Sequence, residues 1–494
     1  MDTVIGRDLR AAAVGSYDLL VVGGGIYGVT LALEAARRGL SALLVERSDF
    51  GGATTWNSLR IVHGGLRYLQ TMDLTRHRES VRERQWFLRH FPDLVEPLPC
   101  LMPLHDPPRG GRLRRPGILR AALAADALLA RDRALPRGHL LGPAETAELF
   151  PAVDRAGLRG GALWHDAFVA DSHRLVIELL RWACRCGARA LNYVEAVELR
   201  VEDGKVRGLR AVDRESGRSF ELEGRAVVNC AGPWVGRTAR RFDRDRPGLF
   251  QPVLAFNLLL DREPPSSVAV AVASREPGAQ TWFLVPWKGR LLAGTAYAPA
   301  TEEALRDGMP GAPQIEGFLR ELNAAMPGLD AAGDQVLRVL WGRLPAAAAG
   351  STVPASRPVI QDHGSDGGPR GLVSVSGVKL TTARTVAGKV LAVLEAGGAL
   401  KPAARPAEVE RPAADPPLSL EELTRLAGED WGAARDHLRG LVERQSVVRL
   451  EDLLLRRTDW GIDPERGEAA ARLCESLGWQ GFRPLRAAGG RGAG

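Results

Sequence analysis

Residues 17–22, YDLLVV, form a short apolar run that stops at a glycine cluster, GGGIYG. Residues 29–39, VTLALEAARRG, then place apolar side chains at helical spacing, and residues 41–46, SALLVE, return to a continuous apolar run. The succession predicts strand, tight turn, helix, strand. Residues 164–191 predict a turn and then a helix, residues 190–204 a strand, and residues 206–213 and 219–224 a strand pair about a DRESG turn. Residues 226–235, AVVNCAGPWV, predict a buried strand. From 250 to 297 the runs FQPVLAFNLLLD, TWFLVPWKG and RLLAGTAY predict an antiparallel sheet. A second strand-to-helix passage follows, from GLVSVSG at 371–377 to ARTVAGKVLAVLEAGG at 383–398. Residues 401–417, KPAARPAEVERPAADPP, predict a linker, after which Ser419 and Glu422 stand at capping-box spacing. The tail at 487–494, AAGGRGAG, predicts disorder.

A chain of 494 residues has room for two or three cores. The net charge of +7 invites a nucleic-acid partner, but the basic residues are spread along the chain, and a binding face needs clustered charge. Only five of the 66 basic residues are lysines, so the bias follows arginine usage, and a lysine that survives it is informative. Five cysteines are an odd number, and the one close pair, Cys184 and Cys186, fits neither a zinc knuckle nor a CxxC motif. No metal-ligand spacing is present. A reducing, cytoplasmic compartment is expected, with no signal peptide and no apolar run fit to span a membrane.

Gly23, Gly25 and Gly28 match G-x-G-x-x-G between the first strand and helix. In that pattern the first glycine permits the turn, the second lets a pyrophosphate approach the backbone, and the third lets helix pack on strand. Glu46 ends the second strand about 20 residues further on, where a carboxylate accepts hydrogen bonds from ribose hydroxyls. Together they predict a dinucleotide site that favours NAD or FAD over NADP. Residues 49–70, DFGGATTWNSLRIVHGGLRYLQ, discriminate further. Hydroxyls at Thr54 and Thr55, then His63 and the exposed backbone of Gly64 and Gly65, suit a flavin ring rather than another Rossmann repeat.

These segments, with VVNCAGPWV at 227–235 and SGVKLTTAR at 376–384, resemble the FAD-dependent glycerol-3-phosphate dehydrogenases, within the D-amino-acid-oxidase-like flavoproteins. The likeness runs from about residue 17 to residue 480. It implies an α/β fold with a discontinuous Rossmann-like FAD-binding domain (17–105, 150–235 and 345–398). An antiparallel-sheet substrate domain (236–344) and a small C-terminal helical domain (418–484) complete it. It also implies that residues 106–149 form a basic helical insertion that docks on a membrane, with Arg109, Arg112, Arg114, Arg115 and Arg120 leading into an amphipathic helix. The cofactor contacts implied are Gly23, Gly25, Gly28, Glu46, Thr54, Thr55, His63, Gly64, Gly232, Gly377, Leu380 and Thr381. Arg67, Tyr68, Arg343, Arg357 and Lys379 are implied to bind substrate, with Arg343, Lys379 and Asn257 at the chemistry.

The implied reaction oxidises the secondary alcohol of glycerol 3-phosphate to dihydroxyacetone phosphate, with quinone or oxygen as final acceptor. The protein itself must hold the phosphate, and a guanidinium fork binds two oxygens at once. Lys379, at the mouth of a strand-to-helix turn, carries a charge that opposes the helix dipole, which favours a ligand over a surface role. Two positions depart from the family. Asn257 replaces a histidine in the substrate sheet, and Ala296 and Tyr297 follow Gly294 and Thr295 where an aspartate is expected. An amide cannot take a proton near neutral pH. A related small anionic alcohol is therefore an alternative substrate. Further alternatives are a flavin amine oxidase of the glycine or sarcosine oxidase type and a flavoprotein without small-substrate activity.

Overall fold

The computed structural model describes residues 4–70, 72–109, 115–130, 135–244, 248–276, 279–300, 308–401 and 406–479. Arg112, Arg114, the side chain of Arg67 and the 487–494 tail lie outside the described residues.

The molecule is built on two sheets. In the first, parallel strands Leu372–Ser376, Ser219–Asn229, Ser16–Val22, Ala42–Val45 and Arg189–Leu191 lie side by side, with Val359–Asp362 antiparallel at one edge. Leu19 stands opposite both Ala226 and Ala42, so the central strand is covered on each side by apolar neighbours. A strand buried on both faces reads as a continuous apolar run, which is why YDLLVV and ALLV carry no alternation. Helices Ile26–Arg37, Ser172–Arg185 and Ala383–Ala396 pack together over the sheet and share one core with it.

The second sheet has nine strands, running Val336–Pro345, Pro252–Leu260, Arg290–Pro299, Trp282–Trp287, Ala269–Val272, Val95–His105, Leu158–Val169 and Ile61–Val62, with His139–Leu141 beside Leu158–Val169. Its pairings are antiparallel except between Ala269–Val272 and Val95–His105. Helix Ala312–Ala325 covers one face through Phe318, which stacks on Trp282 at 4.5 Å. Residues 164–169, expected to turn, instead belong to the strand Leu158–Val169, paired with Val95–His105. That strand is fixed by a partner some sixty residues upstream, which local periodicity does not report.

The C-terminal helices Leu420–Glu429, Trp431–Arg444 and Pro464–Ser476 enclose their own core around Leu423, Leu438, Leu453 and Trp460. The capping box forms as read: Ser419 Oγ accepts from Glu422 N at 3.1 Å, and the Glu422 carboxylate accepts from Ser419 N at 2.8 Å. The Pro/Ala stretch does not hang free over its described part. Ala407 N donates to Arg37 O, and the carbonyls of Val409 and Asp415 accept from Trp182 and Arg174 at 2.9 and 2.7 Å.

Helix Pro116–Ala130 buries Leu119, Ala122 and Leu123 and exposes Ile118 and Leu128. Arg115 and Arg120 on this segment are solvent-facing. Arg109, expected to belong to the same basic face, is instead buried against Asp154 at 2.6 Å. Among the described residues, no helix is long and apolar enough to cross a membrane.

Candidate functional site

The glycine turn does what its sequence requires. Gly23 sits at φ +111°, and a Cβ there would lie 2.5 Å from the carbonyl oxygen of Cys230 on the neighbouring strand. A Cβ on Gly28 would lie 1.9 Å from Gly23 O, so helix Ile26–Arg37 can close on the strand only with glycine there. Gly25 caps that helix with an extended backbone and lines a cavity of about 410 Å³. A helix N-terminus facing a cavity is a site for an anion. Glu46 also lines it. One carboxylate oxygen accepts Gly24 N at 2.7 Å and the other Ser48 N at 2.8 Å, so the group is held in one orientation with lone pairs to spare. Burial raises its pKa.

The walls come from both sheets and from the loop between them. Gly232, at φ +54°, has open space where a Cβ would be. The loop following Glu46 docks on the second sheet through Thr54, whose hydroxyl donates to Arg343 O at 3.1 Å. A Cβ on Gly342 would come within 2.8 Å of that hydroxyl. Thr55 Oγ1 accepts Ile26 N at 3.1 Å, which ties the same loop to the helix start. Such a cradle of backbone amides, small residues and one fixed carboxylate fits an adenine dinucleotide, and the volume lies within the range of ligand pockets, roughly 300–1,000 Å³.

Facing this cradle are the residues expected at the chemistry. Arg343 is 4% exposed, with its guanidinium 5.5 Å from the Trp341 ring centroid. Burial lowers its pKa, yet an arginine so placed stays cationic. Lys379 lines the cavity, meets the Tyr68 hydroxyl and lies 4.7 Å over the Tyr68 ring. Its backbone is held from the glycine turn. Tyr27 Oη accepts the amides of Val378 and Lys379 at 3.0 and 2.9 Å and donates to Lys379 O at 2.7 Å. Gly377 makes this possible, since a Cβ there would lie 2.1 Å from the Tyr27 ring.

Asn257 is buried at the cavity wall with both ends of its amide engaged. Nδ2 donates to Asn57 O at 3.0 Å, and Oδ1 accepts the Thr295 hydroxyl at 2.8 Å. The side chain therefore joins the loop after Glu46 to the second sheet. Tyr297 lines the cavity beside it.

Gly23, Gly25, Glu46, Thr54, Thr55, Gly232, Gly377 and Leu380 converge on one cavity with Asn257, Arg343 and Lys379. Gly28 lies beneath the turn, and Thr381 is buried beside Leu380 without lining the cavity. The structure does not bring His63 and Gly64 to this surface. His63 Nδ1 lies 3.0 Å from Asp166, and Gly64 N donates to the same carboxylate at 2.6 Å. Burial pushes Asp166 up, but the hydrogen bond and charge of His63, with Arg84, bring it below the usual carboxylate range. Arg357 is exposed and is not among the cavity residues.

Sequence reasoning missed Tyr27, although it sits inside the glycine motif and its hydroxyl was the available signal. It also missed the rim where Arg47 lies 5.2 Å over Trp234 and Arg241 pairs with Glu195. The latter pair is 46 residues apart with no local pattern to expose it.

Residues 18–394 match the family described as FAD-dependent oxidoreductase, DAO. The chain is 30% identical over 452 residues to a glycerol-3-phosphate dehydrogenase of Synechocystis sp., covering 88% of this chain and 78% of that one. It is 35% identical over 401 residues to glycerol-3-phosphate dehydrogenase 1 of Mycobacterium tuberculosis, covering 78% and 74%. The fold is shared with the solved glycerol-3-phosphate dehydrogenase of Bacillus halodurans complexed with FAD. That match has a TM-score of 0.73 at 22% identity and covers 95% of this chain and 92% of the other.

Proposed function

The chain belongs to the FAD-dependent oxidoreductase family, and from that premise we propose that it oxidises glycerol 3-phosphate to dihydroxyacetone phosphate. The observation that carries this reading is the meeting of a dinucleotide cradle with a buried arginine and a lysine on one cavity. Gly25 and the N-terminus of helix Ile26–Arg37 would hold the pyrophosphate, Glu46 the ribose, and Gly232, Gly377 and Leu380 the remaining length. When bound, FAD supplies the acceptor for a hydride from the carbinol carbon.

The chain's own work is to bind and orient the alcohol. Arg343 offers a forked donor to phosphate oxygens, and its own burial strengthens a charged hydrogen bond there. Lys379 adds a point charge, aimed by its Tyr27 tether and its contact with Tyr68. Two cations exceed what a single carboxylate needs, which supports a phosphorylated alcohol over an amino acid. Asn257 positions the two walls, and its amide accepts no proton near neutral pH. A quinone or oxygen would be the final electron acceptor. Arg115 and Arg120, beside exposed Ile118 and Leu128, form a peripheral contact with an anionic membrane.

Anaerobic mixing with glycerol 3-phosphate, 2-hydroxy acids and N-methyl amino acids tests the reading. Bleaching of the flavin absorbance by glycerol 3-phosphate is expected. Bleaching only by an N-methyl amino acid, or by none of the three, overturns it.

A further inference from the structure

The loop from Asp49 to Ser58 lines the cavity with small residues, Gly51, Gly52, Ala53, Thr54 and Thr55, and its other side is gripped by residues 455–462, between helices Trp431–Arg444 and Pro464–Ser476. Asp49 is 2% exposed. Its Oδ2 accepts from Arg456 Nε and Arg457 Nη1, both at 2.7 Å, and its Oδ1 from Arg457 Nη2 at 2.8 Å. Arg457 is fully buried, while Arg456 continues to Asp452 at 2.7 Å. At the far end of the loop, Trp56 packs with Leu455 and Ile462, and Arg338 lies 5.7 Å over its ring while donating to Ile462 O at 2.9 Å.

The four buried members, Asp49, Asp452, Arg456 and Arg457, balance in charge, with exposed Glu451 also meeting Arg456 at 2.9 Å, yet withdrawing four charges from water is costly. Such clusters are weak glue compared with apolar packing, and their best-attested use is to select one arrangement over its neighbours. Here the arrangement selected is that of a loop with few large side chains of its own. Gly51 at φ +71° and Gly52 beside it leave the backbone loose unless something outside the loop fixes it. The thirty or so residues before the cluster pack into their own core, so they present the arginines from a rigid base.

We infer that the C-terminal helical module is a cofactor clamp, in which Arg456 and Arg457 position the Asp49–Ser58 loop through Asp49, so that docking of the module and binding of FAD are coupled. Asp49 and the two arginines are positioning residues; they act through the loop. The inference rests on the FAD reading of the cavity and adds a role for residues that do not line it, since Arg456 and Arg457 are absent from its walls. Coupling of this kind is reciprocal: if the module raises affinity for FAD, then FAD must stabilise the module by the same factor.

The test is hydrogen exchange on the full chain, stripped of flavin and then resupplied with FAD. Peptides within 446–462 are expected to exchange at least about threefold more slowly with FAD, although they do not line the cavity. In parallel, Arg457→Met and Asp49→Asn are expected to raise the dissociation constant for FAD about tenfold or more, with Arg457→Lys recovering part of the loss. Unchanged exchange at 446–462 while the glycine turn at 23–28 slows overturns the clamp and leaves the cofactor reading intact. A parent chain that binds no FAD overturns both. If Arg457→Met does not fold, the exchange result on the unaltered chain decides.

Discussion

Tyr27→Phe removes one oxygen that ties the glycine turn to the lysine turn. That oxygen accepts two backbone amides and donates to one carbonyl, at 3.0, 2.9 and 2.7 Å. Burial raises the Tyr27 pKa, so the hydroxyl stays protonated and can donate at working pH. Each net hydrogen bond contributes about 0.5–1.5 kcal/mol, and a donor left unmet costs about 1–3 kcal/mol when water cannot reach it. Lys379 is solvent-accessible, so water replaces part of the loss and the lower figures apply. A net loss of about 1.5–2.5 kcal/mol in transition-state binding is expected, or roughly 10- to 70-fold in kcat/KM. Because the ring remains, packing against Gly377 is kept and flavin content should not change. The assay is stopped-flow reduction of the flavin at a series of glycerol 3-phosphate concentrations under anaerobic conditions. The loss should fall mainly on the substrate dependence, since the tether aims a binding cation. A kcat/KM within twofold of the parent would refute the argument that the tether aims Lys379.

Gly25→Val should yield folded, colourless protein, because the valine fills the approach to the helix N-terminus; absorbance at 450 nm against circular dichroism checks it. Arg343→Leu should keep flavin but lose on the order of 2–5 kcal/mol of transition-state binding, and Lys379→Met, at an exposed lysine, should keep flavin and lose less, both read from kcat/KM. Asn257→His should lower the melting temperature rather than add a productive base. A Cβ on Gly294 would already lie 2.0 Å from Asn257 Oδ1, so a larger ring has no room; a faster, equally stable variant would contradict this. His173 is buried and its pKa is pushed down from 6.5 to about 3. The unfolded chain therefore takes up a proton that the folded chain refuses, and stability falls as pH drops from 6.5 toward 3. His173→Gln should flatten that part of the urea-midpoint profile.

The glycine turn, its helix and Glu46 were legible in the sequence because they form one local unit. Strand, turn, helix and strand occupy residues 16–45, and Gly23 and Gly28 have steric duties set by atoms in that unit or just past the adjoining strand. Lys379 was legible for a related reason: the strand before it and the helix after it mark the turn. What the sequence could not disclose depends on surfaces that meet only after folding. Asn257 reads as a lost base along the chain, but its partners Asn57 and Thr295 lie 200 and 38 residues away and make it a strut. The strand Leu158–Val169 is set by its partners Val95–His105, His139–Leu141 and Ile61–Val62, all of them upstream in the chain. Asp49 and its arginines are separated by 407 and 408 residues. Periodicity and spacing report the local chain, whereas the price of burying a charge is met by whichever element packs against it. The tertiary structure alone determines that element.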